Sequence, residues 1–436
     1  MYQNNNELFR FINDSPTCFH AVKSICDYLE NAGCERLYEN KKWHISLGGK
    51  YFVTRNSSSV IAFSVGEDLE NYSFNITASH SDSPSFKVKE VPVMSGGSLY
   101  TRLNTEKYGG AILSTWFDKP LSLAGRVAVK NGNTIENKLI NFNRDLLLIP
   151  NVAIHFNREI NEGYKYNAQV DSIPLLSCDG NNSELLYDLI SEELGVEKEN
   201  ISSTELFLYN RTAPTQWGAK GEFISAPRLD DLQCAFATLK GFLNGKSHKS
   251  VNVYCCFDNE EVGSSTKQGA GSTFFKDILS RISLALGKSP EEHLCALANS
   301  FMISADNAHA VHPNHPEMTD SDNFVKLNNG PAVKVNASQS YATDSLTSAS
   351  FKFMCEKCGV PVQSFSNRSD QRGGSTLGNI ASGSVSIRMA DVGLPQLSMH
   401  SCYETAGADD TDYLIKVVTE LYNSYIYEDN GNLIIL

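Results

Sequence analysis

Several almost wholly apolar runs end abruptly on acidic or histidine side chains, and this pattern constrains the fold of the chain more than any other. The clearest runs lie at residues 74–77, 251–257 and 301–305. Short apolar runs of this kind are typical of strands that are buried on both faces of a sheet. Helical spacing of apolar residues alternates with them, at 231–243, 274–286 and 413–425. We therefore predict an α/β fold whose mixed, mostly parallel sheet is covered by helices.

The stretch from residue 91 to residue 222 has a different texture, with short β-like runs and few helical patterns. Asn131-Gly132 stands between two such runs and is a hairpin signal. A short helix is predicted at 183–194, with Gly195 as its stop. We predict a β-rich second domain at 91–222, inserted into a domain that residues 1–90 and 223–436 form together. One further strand is predicted at 385–389.

The composition excludes several classes of protein. A formal charge of −13 without clustered Lys and Arg argues against nucleic acid as a partner. No apolar run reaches the ~20 residues that a membrane span requires, and the N-terminus lacks signal-peptide features, so we expect a soluble, cytoplasmic protein. The eleven cysteines are an odd number, and Cys234, Cys255 and Cys256 stand inside apolar runs, which favours buried free thiols over disulfides.

Five side chains of metal-ligand type follow the predicted strands or open a helix. They are His80, Asp230, Glu261, Asp306 and His400. Glu260 stands directly before Glu261 and is one carboxylate more than ligation needs. A hydrolase that activates water on paired metal ions needs such a spare carboxylate beside its ligands. The pattern therefore predicts a dinuclear zinc aminopeptidase.

Each of these residues also has a plainer interpretation. Asp82 could hold the outer ring nitrogen of His80, but a surface His beside an Asp is common. Either acid of Asp230-Asp231 could be the N-cap of the helix that follows. Because two acids exceed what capping needs, we assign Asp230 as a carboxylate that bridges two metal ions and Asp231 as the cap.

Spacing alone leaves two choices open. We assign Glu261 to the metal and Glu260 as general base, although the two neighbours are equivalent by spacing. Near Asp306, the tract with His309, His312 and His315 offers other ligands, and its crowding around Pro313 favours a loop.

The glycine-rich segment at 373–378 precedes His400 in the sequence. Its backbone N–H groups, at Gly374 in particular, could contact a substrate oxyanion or carboxylate. Most turns of this kind only cap helices.

A series of ordered motifs resembles the aspartyl aminopeptidase family of dinuclear zinc metallopeptidases, in its bacterial branch. The motifs are Ser79-His80-Ser81-Asp82-Ser83-Pro84, Arg228-Leu229-Asp230-Asp231-Leu232, Glu260-Glu261-Val262-Gly263-Ser264, Ser304-Ala305-Asp306-Asn307-Ala308-His309, Gly374-Ser375-Thr376-Leu377-Gly378 and Met399-His400-Ser401. The resemblance spans nearly the whole chain.

The resemblance implies a zinc-peptidase-like fold and two zinc ions per subunit, with manganese or cobalt as substitutes. One ion would take His80, Asp230 and Asp306. The other would take Asp230, Glu261 and His400. Asp82 would orient His80, and Glu260 would be the proton shuttle.

The resemblance also implies an assembly and a substrate. The inserted segment would be a dimerisation domain, and dimers would form a homo-oligomer, a tetrahedral dodecamer. His155 would reach the active site of a neighbouring subunit, and Lys334, Tyr341 and Gly374 would contact the substrate.

The expected reaction is the removal of N-terminal residues, with acidic ones as a candidate class, from peptides with a free N-terminus. Cys402-Tyr403-Glu404 departs from the eukaryotic members that are associated with acidic specificity, which carry Arg before this Glu. The alternatives are a related dinuclear amidohydrolase or carboxypeptidase that acts on acyl-amino acids, and a non-enzymatic binding protein with a relic site. The presence of all five candidate ligands together with Glu260 argues against the relic.

Overall fold

The computed structural model describes residues 3–94, 99–180, 182–246, 248–371 and 373–436. The chain divides into two compact units. The first contains the chain up to Asp82 together with Pro214–Met399 and Glu404–Leu436, and the second contains Ser83–Ala213 and His400–Tyr403. The sequence analysis placed the inserted segment at 91–222.

The α-helices of the described residues are Gln3–Asn13 (α1), Cys18–Asn31 (α2), Leu185–Leu194 (α3), Leu229–Asn244 (α4), Phe274–Ala285 (α5), Pro290–Ala298 (α6), Ser345–Lys357 (α7), Leu377–Ser382 (α8) and Asp410–Asn423 (α9). Short 3-10 helices lie at Leu113–Trp116, Lys198–Asn200, Glu260–Val262 and Pro316–Met318.

The strands up to the start of α4 are Glu35–Arg36 (β1), Lys50–Arg55 (β2), Ser59–Val65 (β3), Ser73–His80 (β4), Ser85–Val93 (β5), Thr101–Tyr108 (β6), Leu121–Asn131 (β7), Thr134–Asn141 (β8), Leu175–Ser177 (β9), Ile201–Asn210 (β10), Thr215–Trp217 (β11) and Phe223–Ala226 (β12). The remaining strands are Ser250–Phe257 (β13), Phe301–Ala305 (β14), Ala308–His309 (β15), Ala332–Lys334 (β16), Gln363–Phe365 (β17), Arg388–Gly393 (β18), Pro395–Leu397 (β19), Glu404–Gly407 (β20), Ile426–Asp429 (β21) and Asn432–Ile435 (β22).

The first unit is built on a nine-stranded sheet in the order β1-β2-β3-β13-β4-β14-β18-β16-β17. Strand β4 runs parallel to both β13 and β14, and β14 runs parallel to β18. The pairs β13–β3 and β16–β18 are antiparallel, so the sheet is mixed. All residues of β4, β13 and β14 are buried, as their apolar sequences predict.

Helices cover both faces of this sheet. Along β13, Tyr254 and Cys256 pack into a core with α1, α2, α4, α7 and α9, whereas Val253 and Cys255 pack into a second core with α5, α6 and α8. This alternation follows from the two-residue period of a strand. The predicted α/β architecture is therefore confirmed.

The register of the sheet decides where polar side chains meet. His80, the last residue of β4, lies opposite Phe257, the last residue of β13. Strand β14 ends at Ala305, one residue before Asp306. Because these strands are parallel, their carboxyl ends share one edge of the sheet, where open α/β sheets carry their sites.

The second unit contains a six-stranded sheet in the order β8-β7-β10-β5-β6-β9, and its pairs are antiparallel. The predicted hairpin is present, since Asn131 of β7 pairs with Thr134 of β8 and Gly132 has φ +58°. Helix α3 ends at Leu194, and its C-cap is Gly195, whose left-handed φ of 61° suits glycine.

Two elements differ from the sequence analysis. The strand predicted at 385–389 begins only at Arg388, because Val385 forms the turn after α8 and donates its N–H to Ala381. The hairpin of β21 and β22 was missed, although its Asn430-Gly431 turn carries the expected signal.

Two expectations from composition agree with the structure. None of the helices in the described ranges combines the length and apolarity that crossing a bilayer requires. Cys234, Cys255 and Cys256 are buried free thiols, as predicted.

Candidate active site

His80 lies at the centre of the site, with only 1% of its surface exposed. Its Nδ1 lies 3.0 Å from the carbonyl oxygen of Asp82, which can only accept, so Nδ1 carries the proton. Nε2 lies 3.3 Å from Asp230 Oδ1 and 3.8 Å from Asp306 Oδ1. This is the orientation in which a metal-binding histidine is held, with one nitrogen fixed by the protein and the other facing the ion.

The charges around His80 favour a cation. Burial acts to lower the pKa of His80, but the charge of Asp231 and the hydrogen bonds to Asp230, Asp306 and Asp82 raise it well above its ordinary value. The carboxylates around His80 thus stabilise a positive charge at this position.

Asp230 and Asp231 open α4 with backbone angles that are not helical. The backbone N–H of Asp230 donates to Glu404 Oε2 at 3.0 Å. Asp231 is fully buried, and its Oδ2 accepts the backbone N–H of His80 at 3.0 Å. The N-cap prediction for Asp231 is therefore wrong, because its carboxylate is turned inward to the end of β4 and makes no capping hydrogen bond to α4.

Asp82 lies beside His80, as the sequence analysis predicted, but it makes a further set of contacts. Its Oδ1 is 3.5 Å from His80 Nδ1. The same carboxylate accepts the backbone N–H of Glu260 at 3.1 Å and that of Glu261 at 3.2 Å. Asp82 therefore joins the end of β4 to the turn that follows β13.

Glu260 and Glu261 lie on this turn, between Asn259 and Gly263, which both have left-handed backbone angles. Burial raises the pKa of Glu260 to about 7, with His80 opposing this rise and Asp306 adding to it. A carboxyl with a pKa near neutrality can take up and release a proton at physiological pH.

Asp306 is shared between His80 and Lys334. Its Oδ2 accepts from Lys334 Nζ at 3.3 Å, and Nζ also donates to the carbonyl oxygen of Asn307 at 2.8 Å. Burial acts to lower the pKa of Lys334, but Asp306, together with Tyr341, raises it. Lys334 was predicted to contact substrate, and the structure places its ammonium group on a predicted metal ligand.

Two of the histidines after Asp306 make hydrogen bonds within their own loop. His312 Nδ1 accepts the backbone N–H of Asn314, and His315 Nδ1 lies 3.1 Å from Glu317 Oε1. Among the described residues, groups of side chains close enough to hold an ion include Asp306 and none of these histidines. The structure thus favours Asp306 over the tract.

The donor set fits a zinc ion. His80, Asp230, Asp231 and Asp306 each offer one ligand atom, and these atoms lie within 4.8 Å of one another, as do atoms of His80, Glu260 and Glu261. Zinc binds imidazole nitrogen and carboxylate oxygen at about 2.0–2.2 Å, so atoms 3.3 and 3.8 Å apart can share one ion. Carboxylates also outnumber the cationic groups here, which a metal ion would balance.

Three other predicted residues are placed as follows. His400 belongs to the second unit, where its Nδ1 lies 3.2 Å from the carbonyl oxygen of Gly110. His155 is exposed in the same unit, and Gly374 is exposed two residues before the N-cap of α8. Their roles stay predictions.

The family described as aminopeptidase I zinc metalloprotease (M18) matches residues 11–422. The chain belongs to the M18 family. A probable M18 family aminopeptidase 2 of Clostridium novyi is 48% identical over 424 residues, which cover 96% of this chain and 98% of the relative. M18 membership makes the protein a metallo-aminopeptidase, and the predicted resemblance is confirmed.

Solved structures agree with M18 membership. The chain in the cryo-EM structure of the Ape4 and Nbr1 complex superimposes with a TM-score of 0.93 at 34% identity, over 96% of this chain and 85% of that one. The chain of the S. cerevisiae mApe1 dodecamer gives a TM-score of 0.85 at 26% identity, over 97% and 98% of the two chains. The fold of this chain therefore matches the folds of these two structures over almost its whole length.

Proposed function

We propose that the protein is a dinuclear zinc aminopeptidase in which Glu260 is the general base. The observation that carries this proposal is the position of His80 Nε2, which faces the carboxylates of Asp230 and Asp306. Asp82 links Glu260 to His80, because its Oδ1 accepts the backbone N–H of Glu260 and lies 3.5 Å from His80 Nδ1.

His80, Asp230 and Asp306 would hold one zinc ion. Asp230, Glu261 and His400 would hold the other, an assignment that rests on the family resemblance for His400. Paired metal ions, when bound, lower the pKa of water and favour its attack on a carbonyl.

Glu260 would take the proton from the attacking water and pass it to the leaving amine. Its backbone N–H donates to Asp82 Oδ1, and this bond fixes the position of the backbone from which the Glu260 side chain extends. Lys334 keeps Asp306 oriented through its hydrogen bond to Oδ2.

The substrate would be a peptide with a free N-terminus, bound with its first residue near Lys334, Tyr341 and Gly374. Acidic first residues remain a proposal from the family resemblance. The ammonium group of Lys334 is already bonded to Asp306, so it offers such a side chain only part of its hydrogen-bonding capacity. Aminoacyl chromogenic substrates with acidic, basic and apolar residues would rank these preferences.

The proposed assembly is a homo-oligomer, a tetrahedral dodecamer built from dimers. It is supported by the likeness to the S. cerevisiae chain, which is described as a dodecamer. In such an assembly the exposed His155 would reach a neighbouring active site. Sedimentation of the purified protein as a monomer would contradict this assembly.

A pair of peptides separates the proposed function from its alternative. An aminopeptidase needs the free α-amine, so N-acetylation of a dipeptide is expected to reduce kcat/KM by at least about 10²-fold, because a buried polar site rejects a partner that leaves its groups unpaired. Hydrolysis is followed by release of the second amino acid, with a C-terminally amidated dipeptide as the control. Preference for the acetylated peptide would favour the amidohydrolase or carboxypeptidase.

A further inference from the structure

Asp391 is a fully buried carboxylate in β18, between β14 and β16 of the large sheet. Its Oδ2 accepts the backbone N–H of Ala342 at 2.5 Å, and its Oδ1 accepts the hydroxyl of Thr376 at 2.8 Å. Its own N–H donates to Thr343 Oγ1 at 2.8 Å. One side chain thus joins two loops that are more than thirty residues apart in the sequence.

Stability alone is a weak explanation for this carboxylate. Burial raises the pKa of Asp391, and hydrogen bonds from Ser304, Ala342 and Thr376 act against that rise. Burying a carboxylate costs desolvation energy that its partners must offset, so its presence in the core is weak evidence of a net gain in stability. The contacts of Asp391 therefore need a further reason.

The two loops share a connection to the proposed substrate site. Ala342 directly follows Tyr341, whose ring centroid lies 5.8 Å from Lys334 Nζ. Thr376 is the N-cap residue of α8 and stands two residues after Gly374. Asp391 therefore holds the neighbours of two residues that are predicted to contact substrate.

The start of α8 lies directly on this carboxylate. The N–H of Gly378 donates to Ser304 Oγ at 2.9 Å. A Cβ atom at Gly378 would lie 2.5 Å from Asp391 Oδ1 and 2.9 Å from Oδ2, closer than real contacts allow. The start of α8 thus packs against the Asp391 carboxylate without a gap, so the distance between the loop of Gly374 and the loop of Tyr341 depends on this side chain.

We propose that Asp391 is a positioning residue that holds the Tyr341 and Gly374 loops at the separation needed to receive the N-terminal residue of the substrate. This inference rests on the proposed aminopeptidase function. Asp391 acts through these loops and takes no part in the chemistry at the predicted metal ligands.

The test compares Asp391→Ala with a matched substitution, Asp410→Ala. Asp410 is also fully buried, and its two carboxylate oxygens accept the backbone N–H groups of Asn328 at 2.7 Å and Gly330 at 3.0 Å. Both variants lose a buried carboxylate that accepts hydrogen bonds from backbone N–H groups, but only Asp391 holds the proposed substrate loops.

We expect Asp391→Ala to raise KM at least about tenfold, since hydrogen bonds to charged groups are lost. The zinc content should be unchanged, and kcat should stay within a few-fold of wild type. Asp410→Ala should leave KM unchanged.

Two milder variants keep the test valid if Asp391→Ala does not fold. In Asp391→Asn the oxygen can still accept from Ala342 while the amide donates to a turned Thr376 hydroxyl, so KM should return to near the wild-type value. Thr376→Val removes only the bond from the Thr376 hydroxyl and should raise KM by an intermediate factor.

The proposal is overturned if KM rises equally in the Asp391→Ala and Asp410→Ala proteins, or if Thr376→Val has the KM of wild type. These outcomes differ from a failure of the proposed function, in which the zinc-loaded wild-type protein itself would not release N-terminal residues.

Discussion

Replacing Glu260 by glutamine is expected to reduce kcat at least about 10³-fold, as loss of a general base does. Glutamine has the shape of glutamate but cannot take a proton from water. The backbone N–H of residue 260 can still donate to Asp82 Oδ1, so the turn after β13 should stay in place. Zinc content, measured by mass spectrometry on the purified protein, should therefore equal that of wild type.

The matched control for this variant is Glu356→Gln, since Glu356 is an exposed residue of α7. It should keep the wild-type kcat and zinc content. If the Glu260→Gln protein is fully loaded with zinc and still turns over at more than about a tenth of the wild-type rate, another group removes the proton.

Replacing His80 by phenylalanine is expected to cost a metal ion as well as activity. The ring fits a similar space but brings no nitrogen to the point where Asp230 Oδ1 and Asp306 Oδ1 converge. We expect the zinc content to fall by about one ion per subunit and kcat to fall at least about 10³-fold, because both the Lewis acid and the activated water are affected. Metal analysis and a peptide assay on the same sample measure both.

His293→Phe is the matched control, because His293 is a half-buried imidazole outside the site, 2.8 Å from Ser283 Oγ. It should retain its zinc. An equal loss of zinc from both proteins would mean that His80 acts through the fold and not as a ligand.

The edge of the sheet where the site lies was predictable from the sequence. Apolar runs buried on both faces are recognisable as strands, and the polar residue at the end of each run is then placed by parallel pairing. His80, Glu261 and Asp306 became candidate ligands in this way. These side chains come together because β13, β4 and β14 are neighbours in the sheet. The sequence of each strand alone does not predict this order.

The residues that hold these side chains were not predictable in the same way. Asp231 bonds to the backbone of a residue 151 positions earlier, and Glu404 bonds to the backbone of a residue 174 positions earlier. An acidic residue at the start of a helix is expected to cap that helix. The contact that replaces the cap here comes from a strand that is distant in sequence. Lys334 likewise pairs with Asp306 because β16 lies beside β18, a pairing that is remote in sequence.

Zinc titration of the metal-free protein, with peptide hydrolysis followed at each step, tests the central claim most directly. The account predicts no hydrolysis without metal, binding of about two zinc ions per subunit and full activity only when both are bound, because two metal ions together stabilise the attacking and leaving oxygens. Full release of N-terminal residues by the metal-free protein, or saturation of both binding and activity at one zinc ion per subunit, would contradict it.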